Sequence, residues 1–403
     1  MLKLALRNVF RHKLRTGMTL SAIVFGVAGL ILSGGFVQDM YYQLGESIIH
    51  SQSGHLQVSR AGFHAHGTRS PEKFLIDQPG SVRQKLLAQP QVEDVMERIN
   101  FSGLISNGRS DWPIVGEGVE PDKEARLGTH VRITAGRQLT KGDTFGVVLG
   151  EGVANTLKLR AGDHATLLLN TAEGALNSLE IEIVGISQSF SKDYDARAVR
   201  IQLDAAHELL GTRGVNSLVV SLKRTEDTRP VADALAHHLD SRQFEVMTWE
   251  QLNDFYESTV ALYERQFGVL QFIILVMVLL SVANSVNMSV FERVGEFGTM
   301  MALGNRRRTV FQLVLTENAL LGLCGGTLGI VLGLILAWVV SSIGIPMPPP
   351  PNANIGYTAH IRVVPSMLLM AFGMGVCATF LAALIPARRV SRIPVKDALM
   401  QNY

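Results

Sequence analysis

This sequence predicts an α+β membrane protein with one transmembrane helix near the N-terminus and three near the C-terminus. A large mixed α/β extracytoplasmic domain is inserted between helices 1 and 2. Three observations predict that class. First, the stretches Met18 to Gln38, Gly268 to Val290, Ala319 to Ile343 and Ser366 to Ile385 carry no charged residue. A bilayer core of about 30 Å takes about 20 apolar residues per helix, so each stretch is long enough to cross it. A charge at mid-membrane costs roughly 2.5 to 3.5 kcal/mol, which is why such windows are kept clear of it. Second, between Asp39 and Gln266 charges recur every few residues among Pro, Gly and short alternating runs, enough material for a separate water-facing core. Third, the whole chain of 403 residues is 47% hydrophobic and 18% charged with a mean hydropathy of +0.21, the average of a lipid-facing and a soluble part.

In chain order, residues 1–17 read as an amphipathic cytoplasmic helix. Leu2, Leu6, Val9, Phe10 and Leu14 fall on one side and Arg7, Arg11 and Arg15 on the other, as in a helix lying on a membrane surface; a plain basic flank is the alternative. The first span is 18–38. It is too long for a signal peptide and lacks a clear small-residue cleavage site, so it reads as a retained anchor. Residues 39–266 form the outer domain. Its strand candidates are His55 to Ser59, Val147 to Leu149, Ala165 to Asn170, Leu179 to Val184, Val199 to Leu203 and Ser217 to Leu222, and Val82 to Ala88, Ala205 to Leu210 and Pro230 to Leu239 read as helices. Turn signals at Gly142-Asp143 and Gly162-Asp163 separate them, and a two-part domain is expected, with internal boundaries near 100–140 and 225. A charged helical stalk, Gln251 to Gln266, leads into the second span at 267–290. There follow a cytoplasmic helical link at 291–309, a third span at 310–343, an outer loop at 344–365, a fourth span at 366–386 and a cytoplasmic tail at 387–403. In the outer loop Pro346, Pro348, Pro349, Pro350 and Pro351 read as a stiff polyproline II spacer.

Basic residues set the orientation. Lys3, Arg7, Arg11, Lys13 and Arg15 precede the first span, Arg293 and Arg306 to Arg308 lie in the link, and Arg388, Arg389, Arg392 and Lys396 follow the fourth span. Arg362 alone marks the loop between the third and fourth. Both termini are therefore expected in the cytoplasm and the large domain outside. A net charge of +2 gives no reason to expect nucleic acid as a partner. The two cysteines, Cys324 and Cys377, fall inside spans and read as small residues buried in helix packing.

No catalytic constellation is legible. The chain has no Gly-Lys dipeptide and so no Walker A loop. His207-Glu208 begins like a zincin helix, but the second histidine is missing. His64 with His66 and His237 with His238 have no carboxylate or Cys partner at a useful spacing and read as solvated surface; no metal site is expected. Asn284 and Asn287, about one helical turn apart in the second span, could share a cleft or bond a neighbouring helix. No span holds an ionisable group away from its ends, which disfavours proton- or sodium-driven transport. Small residues at four-residue spacing, Ala22 with Gly26, Gly29 with Ser33, Gly322 with Gly326 and Gly329 with Gly333, mark helix interfaces within the chain or between two copies.

The cytoplasmic link is the most distinctive segment. Glu292 and Glu296 stand near its start and Arg306 to Arg308 past its end, which suits a helix dipole. Phe297, Met300, Met301 and Leu303 form an apolar side expected to be exposed, suited to docking in a groove of another cytoplasmic protein or to resting on headgroups. Glu292, Arg293, Glu296, Phe297, Gly298, Ala302, Leu303 and Gly304 resemble the signature of permease subunits in the MacB, LolC/LolE and FtsX superfamily of ABC transporters, the type VII or mechanotransmission class. The ending Pro386-Ala387-Arg388-Arg389 with Pro394 and Asp397-Ala398-Leu399 is similar to that family's. So is the outer segment Leu149-Gly150-Glu151-Gly152-Val153-Ala154 through Leu159-Arg160-Ala161-Gly162-Asp163.

The resemblance implies an FtsX-like permease domain with a MacB-like periplasmic core domain in a bacterial inner membrane. It implies a non-catalytic subunit with no cofactor of its own, ATP and Mg2+ being bound by a partner ABC ATPase with a LolD- or MacB-like nucleotide-binding domain. Glu292 to Gly304 would be the coupling helix moved by that ATPase. The other expected partners are a second permease chain, identical or paralogous, membrane lipids, and a periplasmic carrier or adaptor. A permease without a fused ATPase matches the LolC/LolE arrangement, whereas the coupling segment reads closer to MacB. Extraction or release of lipoproteins or similar amphiphiles is the expected work, with MacB-like tripartite efflux or FtsX-like control of a cell-wall hydrolase as alternatives. An outer region of roughly 225 residues, sized like a full domain, disfavours the last.

Overall fold

The computed structural model describes residues 13–67, 70–171, 173–349, 352–354 and 356–400. Leu2 to Arg11 of the expected amphipathic face, and Pro350 and Pro351, lie outside these residues. The chain divides into a membrane unit, Met1–Tyr41 with Thr259–Pro346 and Thr358–Tyr403, and an outer unit, Tyr42–Ser258 with Met347–Tyr357.

Helix α1, Lys13–Ile48, carries the first charge-free stretch and continues past it. Its 36 residues span about 54 Å, well beyond a hydrocarbon core of about 30 Å. The outer unit then runs β1 (Leu56–Arg60), α2 (Phe63–His66), α3 (Pro79–Leu87), β2 (Val92–Ser106), β3 (Asp111–Val119), α4 (Pro121–Leu127), β4 (Arg132–Gly136) and β5 (Gly146–Gly150). It continues with α5 (Glu151–Leu157), β6 (His164–Asn170), β7 (Leu176–Gln188), α6 (Lys192–Asp195), β8 (Ala198–Gln202), α7 (Leu203–Leu210), β9 (Ser217–Leu222), α8 (Thr228–His238) and β10 (Phe244–Thr248). Every strand and helix expected in this region falls on an observed one. β5, β8 and β9 are buried at every residue, which is why they read as unbroken apolar runs.

The strands form one sheet in the order β10-β1-β9-β2-β3-β8-β5-β7-β4, with β6 bridging β2 and β7. This overturns the expected two-part division. β2 is 15 residues long and pairs with β9 through Val92–Arg98, with β3 through Arg98–Ser106 and with β6 through Gly103–Ser106. A boundary at 100–106 would cut through that strand, and one at 111–119 through β3, its partner. One apolar core, with Leu86, Ile99, Phe101, Ile105, Leu149, Leu167 and Ile181 fully buried, takes side chains from β1, β2, β3 and β5 through β9, on both sides of the expected boundaries. Each such side chain contributes about 1.5 to 3 kcal/mol by its burial. β2 and β3 escape a local reading because the first carries Glu93, Asp94, Glu97 and Arg98 and the second Pro113, Gly116 and Gly118. Gly116 lies under the Phe101 ring, where a Cβ would overlap it.

The rest of the chain is α9 (Asp254–Glu292), α10 (Val294–Ala302), α11 (Arg307–Ile343), α12 (Pro365–Val390) and α13 (Val395–Met400), with short strands β11 (Ile345–Met347) and β12 (Tyr357–Ala359) before α12; the membrane unit takes α9 from Thr259 onward and leaves Met347–Tyr357 to the outer unit. Among the described residues four helices, one N-terminal and three C-terminal, are long and apolar enough to cross a membrane. α9 is continuous from the expected stalk into the second span.

The small residues are used within the chain, on two faces of α11. Gly325, Gly329 and Gly333 meet Ile23, Val27 and Ile31 of α1, the nearest atoms lying 2.7–2.9 Å from where a Cβ would sit. Gly322 and Gly326 meet Thr379 and Phe372 of α12 at 3.1 and 2.8 Å. Gly26 packs on Val278 of α9. Gly29 faces open space and Ser33 bonds back to Leu30 O in its own helix, so that expected pair makes no such contact here, and Ala22 is half-buried. Cys324 and Cys377 are exposed on their helices rather than packed, a correction that follows from the glycines taking the contact faces.

Candidate functional site

The link between the second and third spans is a clamped helix. α9 ends at Glu292, Arg293 leaves helical geometry (φ −105°, ψ 13°), and α10 follows. Arg293 donates to both carboxylate oxygens of Glu317 on α11, at 2.7 and 3.2 Å, and through Nε to Glu296 at 3.1 Å. Its guanidinium lies 5.0 Å from the centre of the Phe297 ring. Arg293 and Glu317 are each only 7% exposed. A bidentate, buried pair of this kind fixes the angle between two elements, and losing one partner strands the other charge. On the other side of α10, a Cβ on Gly298 would sit 2.7 Å from Ala398 of α13.

This geometry corrects the expected docking face. Phe297 is 1% exposed and packs inside the membrane unit, and Met300 and Met301 are half-buried against the same cluster. Only Leu303 of the four apolar residues stands out, at 80% exposure. The outward surface is Glu292, Glu296, Thr299, Ala302 and Leu303, followed by Gly304 and Asn305 to Arg308. Gly304 adopts φ +91°, a left-handed turn that glycine enters without a side-chain clash and that ends the helix. Glu317 was legible as the one acid at the start of a span, yet only the fold pairs it with Arg293.

At its outer end α1 passes into one turn of π-helix, Ile49–Ser53, and stops at Gly54, whose φ is +66°. The last carbonyls of a helix lack internal partners and carry partial negative charge. Two buried arginines cap them. Arg98 of β2 donates to Gln52 O at 2.7 Å and Arg200 of β8 to Ser51 O at 3.0 Å. Glu124 of α4 balances Arg98 at 3.0 Å, and Glu117 of β3 accepts from Arg200 Nε at 3.1 Å and from the Tyr194 hydroxyl at 2.7 Å. Burial pushes the Glu117 carboxyl up, but Arg98 and Arg200 outweigh it and hold the group below its ordinary range. Burial, with the Glu117 charge, pushes Tyr194 above its ordinary value.

A second cluster completes this joint. Leu44, Ile48 and Ile49 pack with Phe190, Trp249 and Ala353, and Tyr256 at the start of α9 meets Trp249 edge-on at 4.5 Å. Trp249 lies against Gly45, where a Cβ would approach the ring to 2.7 Å. Ala353 comes from the loop between the third and fourth spans, just past the run Pro346 to Pro351 expected to be a stiff polyproline II spacer. It is instead tied down by Lys192 N donating to Asn352 O at 3.0 Å, Asn354 N to Phe190 O at 2.9 Å, and the Asn354 amide to Asp195 Oδ2 at 2.6 Å. Burial lifts the Asp195 carboxyl to about 6. None of these pairings is legible locally, because Arg98, Glu117 and Arg200 look like ordinary strand charges.

The remaining expected residues are placed as follows. Asn284 is exposed and Asn287 half-buried, and neither makes a hydrogen bond among the described residues; the bond between α1 and α9 at this level joins Thr19 to Ser285. Asn284 lines a groove of about 600 Å3 with Lys13, Thr19, Ser281 and Ser285. His64 is not solvated but half-buried, 3.9 Å from Glu245 and edge-on to Phe63, which holds its pKa low by burial. Among the described residues no three His, Cys, Asp or Glu side chains are arranged to hold a metal.

A span, a large sheet domain, three further spans and a clamped helix between the second and third of the four define a membrane permease with an outer domain. The model for the FtsX-like permease C-terminal region matches residues 268–395, and that for the MacB-like periplasmic core domain matches residues 16–238. The chain belongs to this MacB/FtsX-like family of ABC transporter permeases. An uncharacterized ABC transporter permease of Methanocaldococcus jannaschii is 27% identical over 52% of this chain and 53% of its own length. The macrolide export ATP-binding/permease protein MacB of Bdellovibrio bacteriovorus is 22% identical over 96% of this chain and 59% of its own, and that of Salmonella typhi 25% identical over 97% and 59%. The chain thus spans between 53% and 59% of the length of these curated relatives. Among solved structures, the periplasmic region of MacB from Actinobacillus actinomycetemcomitans is 15% identical, covering 52% of this chain and 95% of that one at a TM-score of 0.37.

Proposed function

We propose that this chain is a non-catalytic permease subunit that turns ATP hydrolysis in a partner ABC ATPase into motion of its outer domain. The ATPase binds ATP and Mg2+ and pushes on α10. Because Arg293 ties α10 to Glu317 of α11, a push on the exposed Glu296 and Leu303 moves helices rather than bending a loop. The observation that carries the reading is the capped outer end of α1. A helix gripped by two buried arginines and a tryptophan cluster at one end is a member through which force passes.

In this reading the protein lies in the inner membrane with both termini cytoplasmic, as the basic residues around α10 and after α12 favour, and works beside a second permease chain. Its substrates are lipoproteins or similar amphiphiles, drawn from the outer leaflet and passed to a periplasmic carrier. The second reading, efflux of periplasmic substrates with an adaptor, is favoured by the MacB relatives, which align along nearly the whole chain. Reversing Glu292 and Glu296 to Lys should abolish complex-dependent stimulation of the ATPase while membrane insertion persists; undiminished stimulation would sink the proposal. Photo-crosslinking from the outer domain separates the two readings, lipidated proteins marking extraction and an adaptor marking efflux.

A further inference from the structure

Three imidazoles meet where α1 enters its π-turn. His50 stacks on His130 at 5.5 Å between ring centres, with 23° between planes, and meets His55 edge-on at 5.7 Å. His50 Nδ1 lies 3.2 Å from Leu127 O and Nε2 3.3 Å from a Glu46 oxygen. Both partners are acceptors, which favours a proton on each ring nitrogen, and the Glu46 carboxylate raises the His50 pKa above its ordinary value toward the imidazolium form. His55 is held in the opposite state. Its Nδ1 accepts the Leu222 N–H at 3.1 Å, which leaves the proton on Nε2, facing Thr225 Oγ1 at 3.3 Å. Thr225 in turn donates to Glu46 at 2.6 Å. His130 N–H donates to His50 O at 3.3 Å.

The charged and titratable groups facing these rings are Glu46 from α1 and, further off, Glu93 from β2, with the rings themselves. The cluster therefore holds one cation and balances it with Glu46. A second proton has no comfortable place. On His55 it can go only to Nδ1, which breaks the bond from Leu222 and sets two cations edge to edge. On His130 it stacks a cation on a cation.

We propose that this cluster is a proton-gated catch: it holds the outer end of α1 on the sheet while His50 carries the only charge among the three rings, and lets go when His55 or His130 is protonated. Burial and the His50 charge hold His55 down to about 4 and His130 below its ordinary value. A base with a lowered pKa contributes stability that is complete above its unfolded value of about 6.5 and is lost as pH falls toward the folded one. Asp195 cannot mimic this, since a raised carboxyl pKa stabilises the fold at low pH instead. The inference holds whether the substrate is an amphiphile or a soluble compound, because it concerns the joint alone.

The test is amide hydrogen exchange of residues 49–56 in the full chain in nanodiscs, with rates corrected for intrinsic chemistry at each pH. Protection should drop about tenfold or more between about pH 6.5 and pH 5, ahead of the β5 and β9 amides. His130 lies at the edge of the cluster, its ring partly covered and the rest open to solvent, so His130→Gln tests the idea without threatening the fold, and it should move the acid limb to lower pH. His55→Gln should flatten that limb further. Protection that is flat over this range, or an acid limb unmoved in His130→Gln, overturns the proposal.

Discussion

Removing the carboxylate from Glu317 isolates the clamp on α10. In Glu317→Gln the bidentate bond at 2.7 and 3.2 Å becomes a neutral contact, and Arg293, 7% exposed, keeps its bond to Glu296 at 3.1 Å. Breaking a buried pair by neutralising one partner costs about 3 to 5 kcal/mol. The retained Glu296 bond, on a half-exposed carboxylate, puts this variant toward the lower end, about 3 kcal/mol. Arg293→Met should cost more, since it also strips the cation from the Phe297 ring. Replacing both, Arg293→Met with Glu317→Gln, leaves no stranded charge and should recover a large part of the loss. The assay is thermal or denaturant unfolding of the purified full chain in detergent, paired with stimulation of the ATPase. A double variant whose cost equals the sum of the two singles refutes the reasoning, as does a Glu317→Gln cost near zero.

Three further outcomes follow from distances in the structure. Gly298→Val places atoms into Ala398, 2.7 Å from the Cβ position, and should destabilise the α10–α13 contact by about 1 to 3 kcal/mol, with Ala398→Gly restoring part of it in the same unfolding assay. Trp249→Ala empties the cluster around Leu44, Ile48 and Ala353, costing about 3 to 5 kcal/mol, and should speed exchange of the α1 amides near Gly45 while leaving the β5 amides protected. Asp195, lifted to about 6, binds its proton more tightly folded than unfolded, so its term stabilises below about pH 4 and is lost as pH rises through 6. Asp195→Asn should therefore raise stability at pH 7 by up to about 3 kcal/mol and remove that pH dependence; a loss of stability at neutral pH refutes the assignment.

Much of the architecture was legible because it is written in local pattern. Charge-free windows marked the four spans, and strands buried on both faces, such as Val147 to Leu149 and Ser217 to Leu222, stood out as apolar runs. β2 did not, since its charges at Glu93, Asp94, Glu97 and Arg98 meet Ser221 of β9, Arg126 of α4, Arg83 of α3, and Glu117, Glu124 and the Gln52 carbonyl. β3 did not, since Pro113 and two glycines look like a loop until Phe101 and Ile99 are placed against them. The helix at α10 is legible from its spacing but not in its facing: Phe297 is covered by a cluster that nothing in nearby sequence announces.

The sequence by itself determined which segments enter a membrane, which strands lie in the core, and which short helix carries the family's pattern. Hydropathy and periodicity are properties of a single segment, and each of those conclusions needs only one. Tertiary structure alone decided that Arg98 and Arg200 close the end of α1, that Glu317 answers Arg293 from 24 positions away, that the loop at Asn352 to Asn354 belongs to the outer domain, and that His50, His55 and His130 share one site. Each of these joins groups far apart in the chain, and no local pattern encodes a pairing whose value exists only once folding has removed water from between the partners.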